Sequence, residues 1–186
     1  MNMNIDLTKY DQSWYSRGRS GIAVLLWWFV QGTLFRFSLH PMYNFRNALL
    51  RRFGAAIGKG VRIRPSARFT YPWKVRIDEH SWIGDHVEFY SLDVIVVGKH
   101  CVISQHSYLC TGSHKLNDPS FGLIVKPIVI KDGAWIASDV FVCPGVTVHE
   151  LGVAGARSTV MKDIPAGEIH VGYPAKFLKE RKMEEG

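Results

Sequence analysis

Two kinds of residue in this 186-residue chain could do chemistry, and spacing singles out both. The first is one histidine. Cys110-Thr111-Gly112-Ser113-His114 follows a repeating aliphatic stretch and opens an irregular one that lasts to Val125. Histidine titrates near neutral pH, so His114 is a candidate general base. The second is a pair of histidine pairs, His80 with His100 and His86 with His106, each twenty residues apart. Imidazole pairs bind zinc; the competing reading is that these are exposed turn residues, and no metal site is assigned. Cys101, Cys110 and Cys143 form no CxxC, which signals neither a zinc site nor a disulfide framework. Such cysteine usage fits a reducing, cytoplasmic compartment.

The element that positions these residues is a beat of six. Ile130, Ile136, Val142, Val148, Ala154 and Val160 are six apart, with small or turn-forming residues between them such as Ala137-Ser138-Asp139 and Pro144-Gly145. The same beat runs through Ile57, Ile63 and Phe69, then Ile77, Ile83 and Phe89, then Val97, Ile103 and Leu109. A helix repeats near 3.6 and a half-buried strand near 2, so neither fits. A triangular solenoid does, with one inward aliphatic residue per side and each coil buried against the next. The steps from Phe69 to Ile77 and from Phe89 to Val97 are eight, at Tyr71-Pro72-Trp73 and Ser91-Leu92-Asp93. Both read as enlarged corners, which makes those coils twenty residues long and stacks His80 near His100 and His86 near His106. With strands about 4.8 Å apart, five or six coils stand roughly 25 Å tall.

The flanks differ. Residues 1 to about 20 read as polar and irregular. Residues 21–39 read as a helix apolar nearly all round, and Pro41 can open a second helix in which Phe45, Leu49 and Phe53 align. A cap on the solenoid's open end is one role for this segment, 1–56. The other is peripheral membrane contact through residues 21–53, with Trp27 and Trp28 at the headgroups and Arg36, Arg46, Arg51 and Arg52 on anionic lipid. The apolar run meets Gln31 and Arg36 too soon to span a bilayer, and the signature of a signal peptide is missing. The solenoid is expected over 57–167 with a loop at 115–126. A tail over 168–186 ends in a short charged helix from Lys176 to Glu185. The net charge of +7 points to an anionic ligand or surface. No dinucleotide fingerprint, Walker A motif or DNA-reading module appears, so nucleic acid is not the expected partner.

The beat, Thr111-Gly112-Ser113-His114, Trp135-Ile136-Ala137-Ser138 and Gly172-Tyr173-Pro174-Ala175-Lys176 together resemble one family, the hexapeptide-repeat acyltransferases, and most closely their colanic acid biosynthesis acetyltransferase (WcaF-like) group. The resemblance covers roughly residues 20 to 182 and implies an all-β solenoid, a left-handed parallel β-helix, with N-terminal helices. It also implies acetyl transfer from acetyl-CoA to a saccharide hydroxyl in exopolysaccharide or surface-glycan synthesis, the acceptor free or lipid-linked. The assembly it implies is a homotrimer with each site between two subunits. By match to the family, His114 is the base and Ser138 stands near the thioester as a donor toward developing oxyanion charge. Trp135, Ala137, Ser138 and Ala156 would follow the pantetheine arm, and Lys162, Lys176 and Lys179 would meet the phosphates. Ser91 stands where family members often carry an acceptor-pocket Asn. The group that orients His114 is open among Glu88, Asp93, Asp118 and a backbone carbonyl. Alternatives are N-acetylation of an aminosugar, acetylation of a xenobiotic, and a metal-binding β-helix of the γ-carbonic-anhydrase type.

Overall fold

In the computed structural model, which describes residues 4–183, the beat of six becomes three parallel sheets wrapped around one core. The first sheet stacks Ala56–Ile57, Val75–Ile77, Ile95–Val97, Ile128–Ile130 and Thr147–Val148. The second stacks Arg62–Ile63, Trp82–Ile83, Val102–Ile103, Trp135–Ile136, Val153–Ala154 and Glu168–Val171. The third stacks Arg68–Phe69, Glu88–Tyr90, Tyr108–Cys110, Phe141–Val142 and Thr159–Val160. The chain visits first, second and third sheet in turn, so each circuit is one coil and the second sheet has six rungs. Most strands are two residues long, one outward and one inward. Ile63, Ile83, Ile103 and Ile136 are the buried members on the second sheet, and Phe69 stacks on Phe89 at 4.7 Å on the third.

Register accounts for the irregular steps. Ile57 pairs with Ile77, and Ile77 with Val97, so the two enlarged corners lengthen their coils without losing a rung. Val97 then pairs with Ile130, thirty-three residues on, because a hairpin of Gly112–His114 against Leu123–Val125 is inserted there. The coils sit so close that Gly84 has no room for a side chain. A Cβ there would lie 2.6 Å from the Gln105 nitrogen of the next coil. At the corners the backbone turns left-handed. His80, His100, His86 and His106 all have positive φ, between 54° and 62°, as do Asp139 and Arg157 at 60°. Histidine and Asp tolerate this region better than most residues. Their side chains therefore form columns, with His80 on His100 at 5.3 Å and His86 on His106 at 5.0 Å. Among the described residues no group of three or more His, Cys, Asp or Glu gathers as a metal site would require.

The first coil has an open edge whose backbone groups lack a preceding rung, and helices supply the partners. Helix α1 (Gly21–Val30) continues through one wide turn (Gln31–Phe35), and α2 spans Tyr43–Arg52. Trp27 Nε1 donates to the Phe69 carbonyl at 2.7 Å, and the Gln31 side chain accepts from Phe69 N at 2.7 Å. Arg46 Nε donates to the Ile63 carbonyl at 2.7 Å and Asn47 Nδ2 to the Val61 carbonyl at 2.8 Å. Arg51 Nε reaches the Ile57 carbonyl at 2.9 Å. The buried face of α2 is therefore Arg46, Asn47 and Leu50, not the Phe45-Leu49-Phe53 row its apolar spacing suggests. Unsatisfied rung carbonyls outcompete apolar side chains for that face, since a buried unpaired polar group is costly. Pro41 lies in the turn before α2, which begins at Tyr43.

The carboxy-terminal tail differs from expectation. Lys176–Glu180 is a strand, not a helix, and runs antiparallel to Glu168–Val171. The reason mirrors that at the other end: the last rung of the second sheet is also an exposed edge, and the returning chain pairs with it.

Replacing Arg46 by Met keeps its length but removes donors to Ile63, Leu39 and His40 carbonyls. We expect urea unfolding to show a loss of about 3 kcal/mol or more. A loss below about 0.5 kcal/mol would show that the open rung needs no partner.

Candidate active site

His114 is the last residue of the strand Gly112–His114, on the edge of the prism where the chain passes from third to first sheet. Its Nδ1 lies 2.8 Å from the Phe121 carbonyl across the hairpin. A carbonyl only accepts, so Nδ1 carries a proton, and in the neutral ring Nε2 keeps its lone pair. Of the four candidate partners of the ring, the one bonded to it is therefore a backbone carbonyl. Phe121 serves twice: its ring stacks on the imidazole at 4.2 Å, and its backbone has a positive φ of 54°. Such a conformation in a bulky residue is strained, and strain of this kind clusters where geometry matters.

The three carboxylates considered as partners are otherwise engaged. Asp118 accepts from Ser120 N at 2.9 Å and Ser120 Oγ at 2.7 Å, bonds that hold its carboxyl below the usual range and fix the loop that presents Phe121. Asp93 accepts from Val94 N at 2.7 Å, and Glu88 pairs weakly with Arg68 at 3.9 Å.

The cavity that holds His114 has a volume of about 380 Å³, and half of its wall comes from the amino-terminal segment. Tyr10, Gln12, Ser13, Tyr15 and Arg17 face Tyr71, Tyr90, Leu92 and Leu123 across it. Below lies a second small core in which Val24 of α1 packs with Tyr71, Leu92 and Leu123. The segment is tied down at both ends of its run: Asp6 N donates to the Pro119 carbonyl at 2.8 Å, and Tyr15 Oη to the Leu92 carbonyl at 2.9 Å. Burial drives the Tyr15 phenol well above its ordinary range, which keeps it a donor. Lys74 Nζ meets the same Leu92 carbonyl at 2.5 Å, and burial lowers its pKa. Sequence reading treats residues 1–20 as irregular and misses this wall. Its only local signal is the aromatic run Tyr10, Trp14 and Tyr15, because the contacts that hold it reach far along the chain, from Tyr15 to Leu92 and from Asp6 to Pro119.

The other site residues from the sequence fall elsewhere. Ser138 and Ala156 lie on a different edge, between second and third sheets. There they line a groove of about 420 Å³ with Gln105, His106, Asp139 and Arg157. Arg157 Nε is 3.5 Å from Asp139, an exposed pair. Trp135 projects from the second sheet, 43% exposed, and its Nε1 donates to Ser104 Oγ at 3.0 Å. Ala137 is buried, and its carbonyl accepts from Ser107 Oγ at 2.7 Å. Lys176 and Lys179 are exposed on the final strand, which returns from a bend anchored by Gly172 N on Ser158 Oγ at 3.0 Å. Lys162 follows Thr159–Val160 and shares the edge of His114, not that of Ser138. Ser91 is fully buried. Its hydroxyl donates to the Tyr71 carbonyl at 3.0 Å and accepts from Tyr71 N at 2.9 Å, and it does not line the cavity. The chain thus brings His114 together with the amino-terminal segment, and Ser138 with Ala156, but leaves the width of the third sheet between the two groups. Burial pushes the Cys101 thiol up to about 11 and raises Cys110 and Cys143, so none of the three is a ready nucleophile.

No family model matches the chain. Over 165 residues it is 50% identical to the candidate colanic acid biosynthesis acetyltransferase WcaF of Escherichia coli (strain K12), covering 89% of this chain and 91% of that protein. It is 25% identical over 138 residues to the galactoside O-acetyltransferase of the same organism, covering 73% and 68%. The crystal structure of a hexapeptide-repeat acetyltransferase from Vibrio cholerae O1 biovar eltor, complexed with acetyl coenzyme A, superposes with a TM-score of 0.79 at 27% identity, covering 87% of this chain and 88% of that one. A galactoside acetyltransferase in complex with coenzyme A, at 22% identity and a TM-score of 0.78, covering 87% and 82%, shares the fold.

The tautomer of His114 is open to direct test. Nitrogen NMR of imidazole-labelled protein is expected to show the neutral ring protonated at Nδ1, as its bond to the Phe121 carbonyl requires. A ring protonated at Nε2 would contradict the geometry.

Proposed function

The chain belongs to the WcaF-like hexapeptide-repeat acetyltransferases, and on that premise we propose that it acetylates a saccharide hydroxyl, in exopolysaccharide or surface-glycan synthesis, with His114 as general base. The observation that carries this reading is the bare Nε2 of His114, held by the Phe121 carbonyl at the wall of a cavity rich in tyrosine. A hydroxyl is a poor nucleophile at neutral pH, and a base within hydrogen-bond reach removes its proton as it attacks. The tyrosines offer flat apolar surface together with hydroxyl groups, which suits a sugar ring. Arg17, Gln12 and Ser13 add polar contacts that orient it.

Acetyl-CoA, when bound, supplies the activated acetyl group. The residues of the second groove fit its chemistry. Ala156 and Ser138, which line it, are small enough for a narrow pantetheine arm, and the Ser138 hydroxyl or a neighbouring N–H donates toward developing negative charge. Lys176 and Lys179 near that edge give cations for phosphates. Trp135 and Ala137 act by shaping the same side of the prism.

Because His114 and Ser138 occupy different edges, the reading requires a second subunit. We take the assembly as a homotrimer of left-handed solenoids in which the edge bearing His114 and Lys162 meets the neighbour's edge bearing Ser138 and Ala156. A heterologous contact of this kind closes into a ring under threefold rotation. The third sheet, whose outer row includes Tyr108 stacked on Phe141 at 5.4 Å, then faces the axis. Phe141 is 38% exposed in the single chain, an apolar surface that such packing covers. A cytoplasmic location supplies the donor.

Two experiments test this. His114→Ala should lower turnover by about 10²- to 10⁴-fold while acetyl-CoA binding, followed by calorimetry, persists; undiminished turnover removes the base. The shared site is tested by mixing. His114→Ala and the groove-filling Ala156→Trp should each be inactive alone, yet their co-expressed mixture should recover part of the wild-type rate. A mixture as inactive as its components would mean that both groups act within one chain.

A further inference from the structure

We propose that the solenoid's capped end is a docking surface for an anionic lipid bilayer. The argument starts from what α1 does not bury. Its inner side, Val24, Trp27 and Val30, is pinned to the core, and Trp27 is bonded to the Phe69 carbonyl, so the outer side has a fixed orientation. On that outer side Ile22 is 80% exposed, Leu25 64%, Leu26 53% and Phe29 66%, at helical spacing, and the chain continues with Phe37 at 81% and Leu39 at 70%. Contiguous exposure of large apolar residues on this scale marks an interaction surface. No described helix is long and apolar enough to cross a membrane, so the surface lies against its partner and does not enter it as a span.

Charge decides the partner. Between Gln12 and Ile77 the sequence holds twelve Lys or Arg residues and no Asp or Glu, while the remainder holds all sixteen acidic residues against eleven basic ones. The net charge of +7 is therefore strongly polarised toward the capped end. Arg46 is spent inside the cap, but Arg17, Arg19, Arg36, Arg52 and Lys59 are exposed and make no ion pair among the described residues. An apolar helical face flanked by basic residues fits the headgroup region of an anionic membrane, with aliphatic side chains among the acyl chains and cations at the phosphates. A second copy of this chain would bring the same positive charge face to face and be repelled. Nucleic acid would leave the aliphatic centre of the patch unmatched.

The consequence is a defined height for the chemistry. His114 leaves the third coil, two rungs beyond the capped one, which places its edge roughly 10 Å further along the axis. An acceptor held at the bilayer by a lipid would be presented at that level. The docking claim itself does not depend on the acetyl-transfer reading.

The test is sedimentation of the full chain with vesicles of phosphatidylcholine alone or with about 30% phosphatidylglycerol. We expect binding to the anionic vesicles only, weakened as salt rises from about 0.05 M to about 0.5 M. The double variant Leu25→Glu/Phe29→Glu, both exposed positions, should lose about tenfold or more in bound fraction with an unchanged unfolding transition. Wild-type protein left in the supernatant with anionic vesicles would overturn the proposal. So would equal binding by the folded double variant. If wild type ignores vesicles while the variant has a smaller mass in solution, the face is a contact between copies and the proposal fails.

Discussion

Each coil of this solenoid is held by backbone bonds to the next, and that single constraint propagates to every other feature. A rung of two residues can offer only one side chain to the core and one to solvent. The fold must therefore repeat the same register coil after coil, and Ile57, Ile77, Val97, Ile130 and Val148 form one continuous column. Corners inherit the alignment. Their left-handed residues stack into columns of their own, with paired histidines giving way to Asp139 and Arg157 along one edge. At one place the alignment is interrupted without being lost. The hairpin after Cys110 does this: it leaves the prism, presents His114, and returns so that Val97 still meets Ile130.

The same constraint creates two open ends, and the protein closes them by different means. At the first coil, side chains substitute for a missing rung, with Trp27, Gln31, Arg46, Asn47 and Arg51 each bonded to its backbone. At the last, a returning strand pairs with Glu168–Val171. The helical closure has a second effect. It turns an apolar, positively flanked helix face outward and threads the amino-terminal segment across to the His114 hairpin, where Tyr10 and Tyr15 become part of the cavity wall. Cap and pocket are parts of one structure, joined through Val24 and the small core around Leu92.

The parts legible in the sequence are those with a local period. The hexad fixes the strands and their inward residues, and the two eight-residue steps correctly forecast twenty-residue coils and stacked histidines. His114 stands out because it follows the last regular residue before a break. Features set by unpaired backbone are invisible to such reading. The buried side of α2 carries Arg46 and Asn47 because rung carbonyls need donors, against the apolar pattern of the helix itself. The tail looks helical by composition but becomes a strand because an edge is waiting for it. Ser91 occupies a pocket position by alignment of motifs, yet its hydroxyl is consumed by the backbone of Tyr71. The tyrosine wall is assembled from segments too distant along the chain for any spacing to join.

The proposed function requires that one prism carry two halves of a site on different edges, and that the halves meet only between subunits. Native mass spectrometry in the presence of acetyl-CoA tests this most directly. It should find particles of three 21.1 kDa chains carrying up to three donor molecules, and no ligand on single chains. A stable single chain that binds acetyl-CoA and transfers its acetyl group would contradict the account.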